Sequence, residues 1–423
     1  MDINELLRGV ECTCGNTHTC GIRYVYIEPD AIAHLKEICE PFAHILIVAD
    51  ENTFAAAGRQ TLDALKTKQV REVIFDGKEI LVPNENAIEK VTSNLAHTDL
   101  IVGIGSGVIQ DLCKYVSFAS KIPYLVVASA PSMDGYASSG AAMITDGMKV
   151  TYPAGLPLAI VADTDVLRNA PMEMIVAGYG DIIGKFSALN DWKLSKCVMD
   201  EYFCDYIFDL TCEQIKKTLA LADGILRRDE TSVRTLMEAL VTVGILMSFA
   251  GSSRPASGSE HHLSHFFEIT GILDGTYYFP HGIDVAYSTY VTAKLREYIL
   301  AHGCKNSRFR LSDDRYRTVM RELYTSVADG CIALQQKVGN YDTDRTEIYR
   351  QKEAEIKRIL AEMPASDEIA RMLSTVGLDM DKFYAQYGNK HIRDAVLYAK
   401  DLKDRYTVLW LYYDLFGGET PLS

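Results

Sequence analysis

Positive charge is in short supply: 43 lysines and arginines face 57 aspartates and glutamates over 423 residues, giving a net charge of −14 and a pI near 5.2. A phosphate backbone needs a basic footprint, so this balance argues against a nucleic-acid partner, and an anionic small substrate would need a local basic pocket. Cysteine is sparse as well. Ten thiols, at Cys12, Cys14, Cys20, Cys39, Cys113, Cys197, Cys204, Cys212, Cys304 and Cys331, are scattered too widely for a disulfide framework and read as reduced. No unbroken apolar run reaches the length of a membrane span. The opening MDINELLRGVE has acids and no apolar stretch of the secretory kind, so the expected address is cytoplasmic.

The length suits two domains, and the texture of the chain changes near residue 168. Before it, continuous apolar runs alternate with helical patterns. YVYIE, AHILIVAD, VREVIF, DLIVGIG and IPYLVVAS read as strands, with TFAAAGRQTLDALKTK, NENAIEKVTSNL and the segment after GIGSG as helices. That alternation predicts parallel βαβ units in a doubly wound sheet, with ligands beyond the strand C-termini. Gly147 and the residues after it give further short strands, and Asp163 or Asp165 is placed to cap the next segment. From about residue 170 the apolar residues recur at helical spacing with no convincing strand, which predicts an all-helical second domain.

Several clusters carry chemistry. CTCGNTHTC brings together Cys12, Cys14, His18 and Cys20; the single-residue gap and the lack of a second CxxC favour a loop of free thiols over a zinc knuckle. In GIGSGVIQD the backbone N–H groups of Gly105, Ser106, Gly107 and Val108 are placed to cradle a phosphate, with a tight packing turn as the alternative. SAPSMDGYASSG is a small, polar loop after a buried strand, as at a ligand site; its Asp134-Gly135 pair could equally be a plain turn. Asp181 sits in the apolar GYGDIIGKF and needs a partner there, either Lys185 one turn on or a metal. RPASGSEHHLSHFFE holds His261, His262 and His265, with His281 following in FPHG. On a helix His261 and His265 share a face and His262 does not. Two imidazoles and the Asp181 carboxylate around a divalent ion, with a position open for substrate, is the sharper reading.

In order and spacing, GSGVIQDLCKYV, SAPSMDGYASSGA, AGYGDIIGKFSALNDWKL, SRPASGSEHHLSHFFE and FPHG resemble the sn-glycerol-1-phosphate dehydrogenases, relatives of glycerol dehydrogenase, iron-type alcohol dehydrogenase and dehydroquinate synthase. The resemblance covers most of residues 10 to 300. It implies a dehydroquinate synthase-like fold: an α/β Rossmann-like domain over 1–168 that binds NAD(H) or NADP(H), and an all-α domain over 169–423 that binds metal and substrate. It further implies a divalent metal, zinc or nickel, on Asp181, His261 and His281. His265 falls where such enzymes meet substrate and deliver a proton, and Asp134 where they meet substrate hydroxyls. Gly107, Val108, Ile109, Gln110 and Asp111 fall at the cofactor pyrophosphate. Ser129, Ala130, Pro131, Ser132 and Ser138 fall at the nicotinamide side. Asp50 falls at the adenosine ribose, where an acid favours NAD. Ile104 departs from the family's frequent glycine.

The implied reaction interconverts dihydroxyacetone phosphate, a small phosphorylated triose, and sn-glycerol 1-phosphate; no nucleic-acid partner and no membrane span are expected, and a homo-oligomer is left open. Arg254 and Lys185 are the nearest cations for the substrate phosphate, with Arg254 alternatively a brace for the histidine helix. The rival readings are glycerol dehydrogenase, a dehydroquinate synthase-like lyase that uses NAD only transiently, and a silent nucleotide-binding regulator.

Overall fold

Six strands dense in valine, isoleucine and leucine align in parallel in a computed structural model that describes residues 3–78, 81–145, 148–304 and 312–417. They are β1 (Tyr24–Glu28), β2 (His44–Asp50), β3 (Gln69–Phe75), β4 (Leu100–Gly105), β5 (Tyr124–Ala128) and β6 (Ala159–Asp163), in the spatial order β1-β6-β5-β4-β2-β3. Every residue of β4, β5 and β6 is buried, as expected of strands covered on both faces. The register pairs Ile101 with Tyr124 and Gly105 with Ala128, so the C-terminal ends of β4 and β5 finish level. Helices α1 (Glu51–Ala64), α2 (Glu85–Thr92) and α3 (Gly107–Ser120) follow their strands. Asp163 caps the short helix after β6 by accepting the Asp165 N–H at 3.0 Å. Gly147 lies outside the described residues.

Two compact units form. The first takes Met1–Ile182 and Lys216–Ser253, the second Ile183–Ile215 and Arg254–Ser423. Among the described residues no strand follows Asp163. The first unit therefore holds the sheet together with helix α5 (Glu230–Ala250), whose apolar residues are almost all buried. By length and composition α5 could cross a membrane, although its apolar run is not unbroken. Arg234, Glu238, Thr242 and Ser248 interrupt its apolar residues. Most of the helix is buried in the protein, where it serves as a core helix.

The second unit contains the later part of α4 (Met172–Met199), α6 (Ser259–Asp274) and α7 (His281–His302) among its helices. Asp191 on α4 and Arg296 on α7, both fully buried, make an ion pair at 2.8 Å. Burial pushes the Asp191 carboxyl up, and the guanidinium counters it. Arg296 also donates to Asn190 at 2.7 Å and to the Ser187 carbonyl at 3.2 Å. Removing one member of such a pair strands the other charge in low dielectric, so Arg296→Met should cost about 3–5 kcal/mol, read from urea unfolding of the purified protein. A loss under 1 kcal/mol would show that Asp191 is supported without it.

Candidate active site

Strand β4 ends at Gly105 and hands over through Ser106 to α3. Gln110 in the first turn of α3 donates back to the Gly103 and Gly105 carbonyls at 2.9 and 3.1 Å, which ties the helix start to the strand end. No side chain caps α3, and a Cβ on Gly107 would meet nothing within 4 Å. The N-terminus is therefore uncovered in the manner of an anion-binding turn. Val108, Ile109 and Asp111 complete that turn.

Lys114, one turn beyond Asp111, is buried and was not foreseen from the sequence. Its Nζ donates to the carbonyls of Gly135 and Gly140 at 2.9 Å each, to Ser138 Oγ at 3.2 Å and to Asp111 Oδ1 at 3.3 Å. One ammonium thus staples α3 to the loop that follows β5. The sequence signal was a single lysine in the otherwise apolar LCKYV; a buried lysine needs such a set of acceptors.

The loop itself is held at close range. Ser129 N–H donates to the Gly105 carbonyl at 3.2 Å, and Tyr136 OH to the Ala130 carbonyl at 2.6 Å. Ser132 and Asp134 are buried. Beneath Pro131 lies Gly178 of α4, where a Cβ would overlap the Pro131 carbonyl oxygen. Beneath Asp134 and Ala137 lies Gly244 of α5, where a Cβ would stand 2.7 Å from the Asp134 carbonyl oxygen. Asp134 N–H donates at 2.9 Å to Oδ2 of Asp181, a fully buried carboxylate. Asp134 and Asp181 are thereby adjacent within the first unit, an arrangement that a plain turn at Asp134 does not require.

In the second unit α6 carries the histidines. Its N-cap is Gly258, where a Cβ would stand 2.7 Å from Asp191 Oδ2 and 2.8 Å from Ala188 Cα, so only glycine fits. Asp191 supplies the missing cap by accepting the Ser259 N–H at 2.7 Å, and Glu260 accepts the Gly258 N–H at 2.8 Å. Glu260 Oε1 also lies 2.7 Å from His261 Nδ1. Burial pushes the Glu260 carboxyl up, while the Gly258 N–H and the Lys185 ammonium pull it back toward the charged form. A carboxylate on Nδ1 orients the imidazole and makes Nε2 the nitrogen that meets a cation.

The His261 and His281 ring centroids are 5.1 Å apart, and a ligand nitrogen of each lies within 4.8 Å of the other. His265 is 6.3 Å from His261 and 5.6 Å from His281. Three imidazoles thus converge, two of them one helical turn apart. The donors suit zinc or nickel: borderline-soft nitrogens with a carboxylate orienting one of them. His262 points elsewhere, fully buried and held neutral because burial lowers its pKa well below the usual range.

Other expected residues carry additional structural work. Asp50 caps α1: its Oδ1 accepts the Thr53 N–H at 2.9 Å, and its own N–H donates to Thr53 Oγ1 at 3.1 Å. Arg254 braces the second unit. It grips Glu201 with Nε at 2.7 Å and Nη2 at 2.5 Å, and donates to the Tyr406 carbonyl at 2.9 Å and to Ser195 Oγ at 3.1 Å. Lys185 is fully buried near Glu260. Glu260, between two conspicuous glycine and histidine signals, was passed over in the sequence although it directly precedes His261. Glu260→Ala should weaken binding of a divalent metal about 10–100-fold by chelator competition, and Glu260→Gln, which keeps an acceptor oxygen, should lose less. Equal affinity in all three proteins would remove Glu260 from the site.

Comparison with known proteins agrees with this architecture. The family description for iron-containing alcohol dehydrogenase matches residues 26–171. The chain is 36% identical over 293 residues to a glycerol-1-phosphate dehydrogenase [NAD(P)+] of Halalkalibacterium halodurans, covering 67% of this chain and 73% of that one. It is 29% identical over 375 residues to the enzyme of the same name from Geobacillus stearothermophilus, covering 87% and 86%. An iron-containing alcohol dehydrogenase from Thermococcus thioreducens shares the fold, with a TM-score of 0.56 at 16% identity over 95% of this chain and all of that one. An uncapped helix start beyond a parallel strand and a convergent set of histidines on a helical unit thus meet sequence kinship well above chance, and the chain belongs to the glycerol-1-phosphate dehydrogenase [NAD(P)+] family.

Proposed function

We propose that this chain catalyses the reversible NAD(P)-linked reduction of dihydroxyacetone phosphate to sn-glycerol 1-phosphate. The observation that carries the chemistry is the Glu260–His261 contact beside His281, a pair of imidazoles with one already oriented for a cation. The substrate is argued from the names of the relatives. Asp181, His261 and His281 are assigned as the metal ligands. A divalent cation on them would act as a Lewis acid toward the substrate carbonyl, and the nicotinamide would supply the hydride.

The chain's own residues do the positioning. Gly107 to Asp111 receive the cofactor pyrophosphate on the open start of α3. Ser129 to Ser132 and Ser138 line the nicotinamide side, on a loop that Lys114 and the two glycines hold rigid. Asp50 meets the adenosine ribose. Asp134 meets the substrate hydroxyls, Asp181 faces the same group, and His265 hands a proton to the developing alkoxide oxygen. In this reading residues 1–168 serve the nucleotide, and residues 169–423 serve metal and substrate. A reducing, cytoplasmic setting is supported by the ten cysteines, none of which is joined in a disulfide.

NADH oxidation with dihydroxyacetone phosphate should proceed mole for mole with sn-glycerol 1-phosphate, identified by a stereospecific product assay. NADH consumed only in trace would favour a lyase, and turnover of glycerol alone would move the substrate. His261→Ala should lose one bound metal equivalent and roughly 100- to 1,000-fold in kcat, on the scale at which an electrostatic transition-state stabiliser is removed, whereas His262→Ala should keep its metal. Full activity in demonstrably metal-free protein would overturn the ligand assignment.

A further inference from the structure

A second group of metal-binding side chains lies at the start of the first unit, with no member in common with the residues assigned above. Val10–Glu11 pairs antiparallel with Thr17–His18, in a register that sets Val10 opposite His18. The connection is a tight turn: Cys12 N–H donates to the Asn16 carbonyl at 3.1 Å, and Gly15 N–H to the Cys12 carbonyl at 3.0 Å. Gly15 adopts φ +90°, a conformation that suits glycine. Across the hairpin Thr17 Oγ1 donates to the Glu11 carboxylate at 3.0 Å. This folding gathers Cys12 Sγ, Cys14 Sγ and a ring nitrogen of His18 within 4.8 Å of one another. Cys20, the third thiol of the motif, is outside the group.

His18 is already prepared as a ligand. It is 1% exposed, and its ring stacks on Phe249 with centroids 5.4 Å apart and planes 13° apart. Its Nδ1 lies 2.9 Å from the Phe249 carbonyl oxygen. A carbonyl only accepts, so Nδ1 carries the proton and the lone pair is on Nε2, the tautomer that metal-binding histidines adopt. That Nε2 is 3.5 Å from Cys14 Sγ. Zinc bonds of about 2.3 Å to sulfur and 2.0–2.1 Å to nitrogen at the tetrahedral angle put the two ligand atoms about 3.6 Å apart. A simple thiol–imidazole hydrogen bond would account for Cys14 and His18 and leave the convergence of Cys12 unexplained.

We propose that this hairpin is a structural zinc site held by the Cys12 and Cys14 thiolates and His18 Nε2, with the fourth position filled by a further donor. Two soft sulfurs and an imidazole select zinc over the hard cations. Binding releases two thiol protons, and the two thiolates neutralise the ion. Through His18 the ion clips residues 10–18 to the C-terminal end of α5, where Phe249 sits. The site serves the fold of the first unit and takes no part in hydride transfer.

The full-length protein, purified reduced with zinc supplied, should carry two metal equivalents, falling to one in Cys12→Ser and in Cys14→Ser. Cobalt replacement separates the two sites. The assigned catalytic ligands include no sulfur, so a thiolate-to-cobalt charge-transfer band reports the hairpin alone. The band should vanish in Cys12→Ser and Cys14→Ser and persist in His261→Ala. Iodoacetamide should label Cys12 and Cys14 at least tenfold more slowly with zinc than without. A wild-type protein with no sulfur-to-cobalt band, and with equal labelling with and without zinc, would overturn the proposal whatever the state of the other site.

Discussion

The carboxylate of Asp191 is the constraint on which the second unit depends. Buried with Arg296, it also receives the backbone N–H groups of Ser259 and Val408, at 2.7 and 2.9 Å. Acids are favourable at a helix start because the unpaired N–H groups and the helix dipole are both positive there. Here the acid is borrowed from a neighbouring helix, since Gly258 has no side chain to offer and no space for one. The first turn of α6 is thereby pinned from outside, and His261, two residues on, inherits its position from that contact. Glu260 then sets the rotation of the ring. Two buried acids in series, one on the backbone and one on the imidazole, decide where the Nε2 of His261 points.

The first unit reaches similar rigidity by different means. Its loop after β5 is held by the absence of side chains at Gly178 and Gly244, where helices α4 and α5 come against backbone, and by one ammonium, Lys114, with four acceptors. Close backbone approach excludes water and removes room to move. A buried lysine with several partners gives directional restraint that packing alone lacks. The loop's serines and Asp134 can therefore stay small and polar without making the loop mobile.

Much of this was legible beforehand because parallel strands announce themselves: ILIVA within AHILIVAD and LIVGIG within DLIVGIG carry no polar side chain, a pattern that a doubly covered sheet requires. The histidine helix was legible too, since His261 and His265 are one turn apart. The roles of single polar residues were not. Lys114, Glu260 and Asp191 look like ordinary surface residues until their partners, up to 217 positions away, are known. Arg254 shows the converse: proximity to a motif suggested a phosphate ligand, whereas its guanidinium is spread over Glu201, Ser195 and Tyr406. The CTCGNTHTC stretch has a spacing that points to no familiar metal motif; the hairpin brings three of its donors together regardless of spacing, and Phe249, which orients His18, is 231 residues distant.

That the first unit takes α5 from beyond residue 229 has a consequence for synthesis. The sheet, its ligand loop and the N-terminal hairpin all emerge from the ribosome well before the helix that packs beneath Asp134 and accepts the His18 proton. Until about residue 250 has been made, the loop at Asp134 and Ala137 lacks the helix it packs on, and that late helix is itself apolar enough to be mistaken for a membrane span. The order of translation thus runs against the order of packing, and completion of the first unit waits on residues that follow a segment of the other unit.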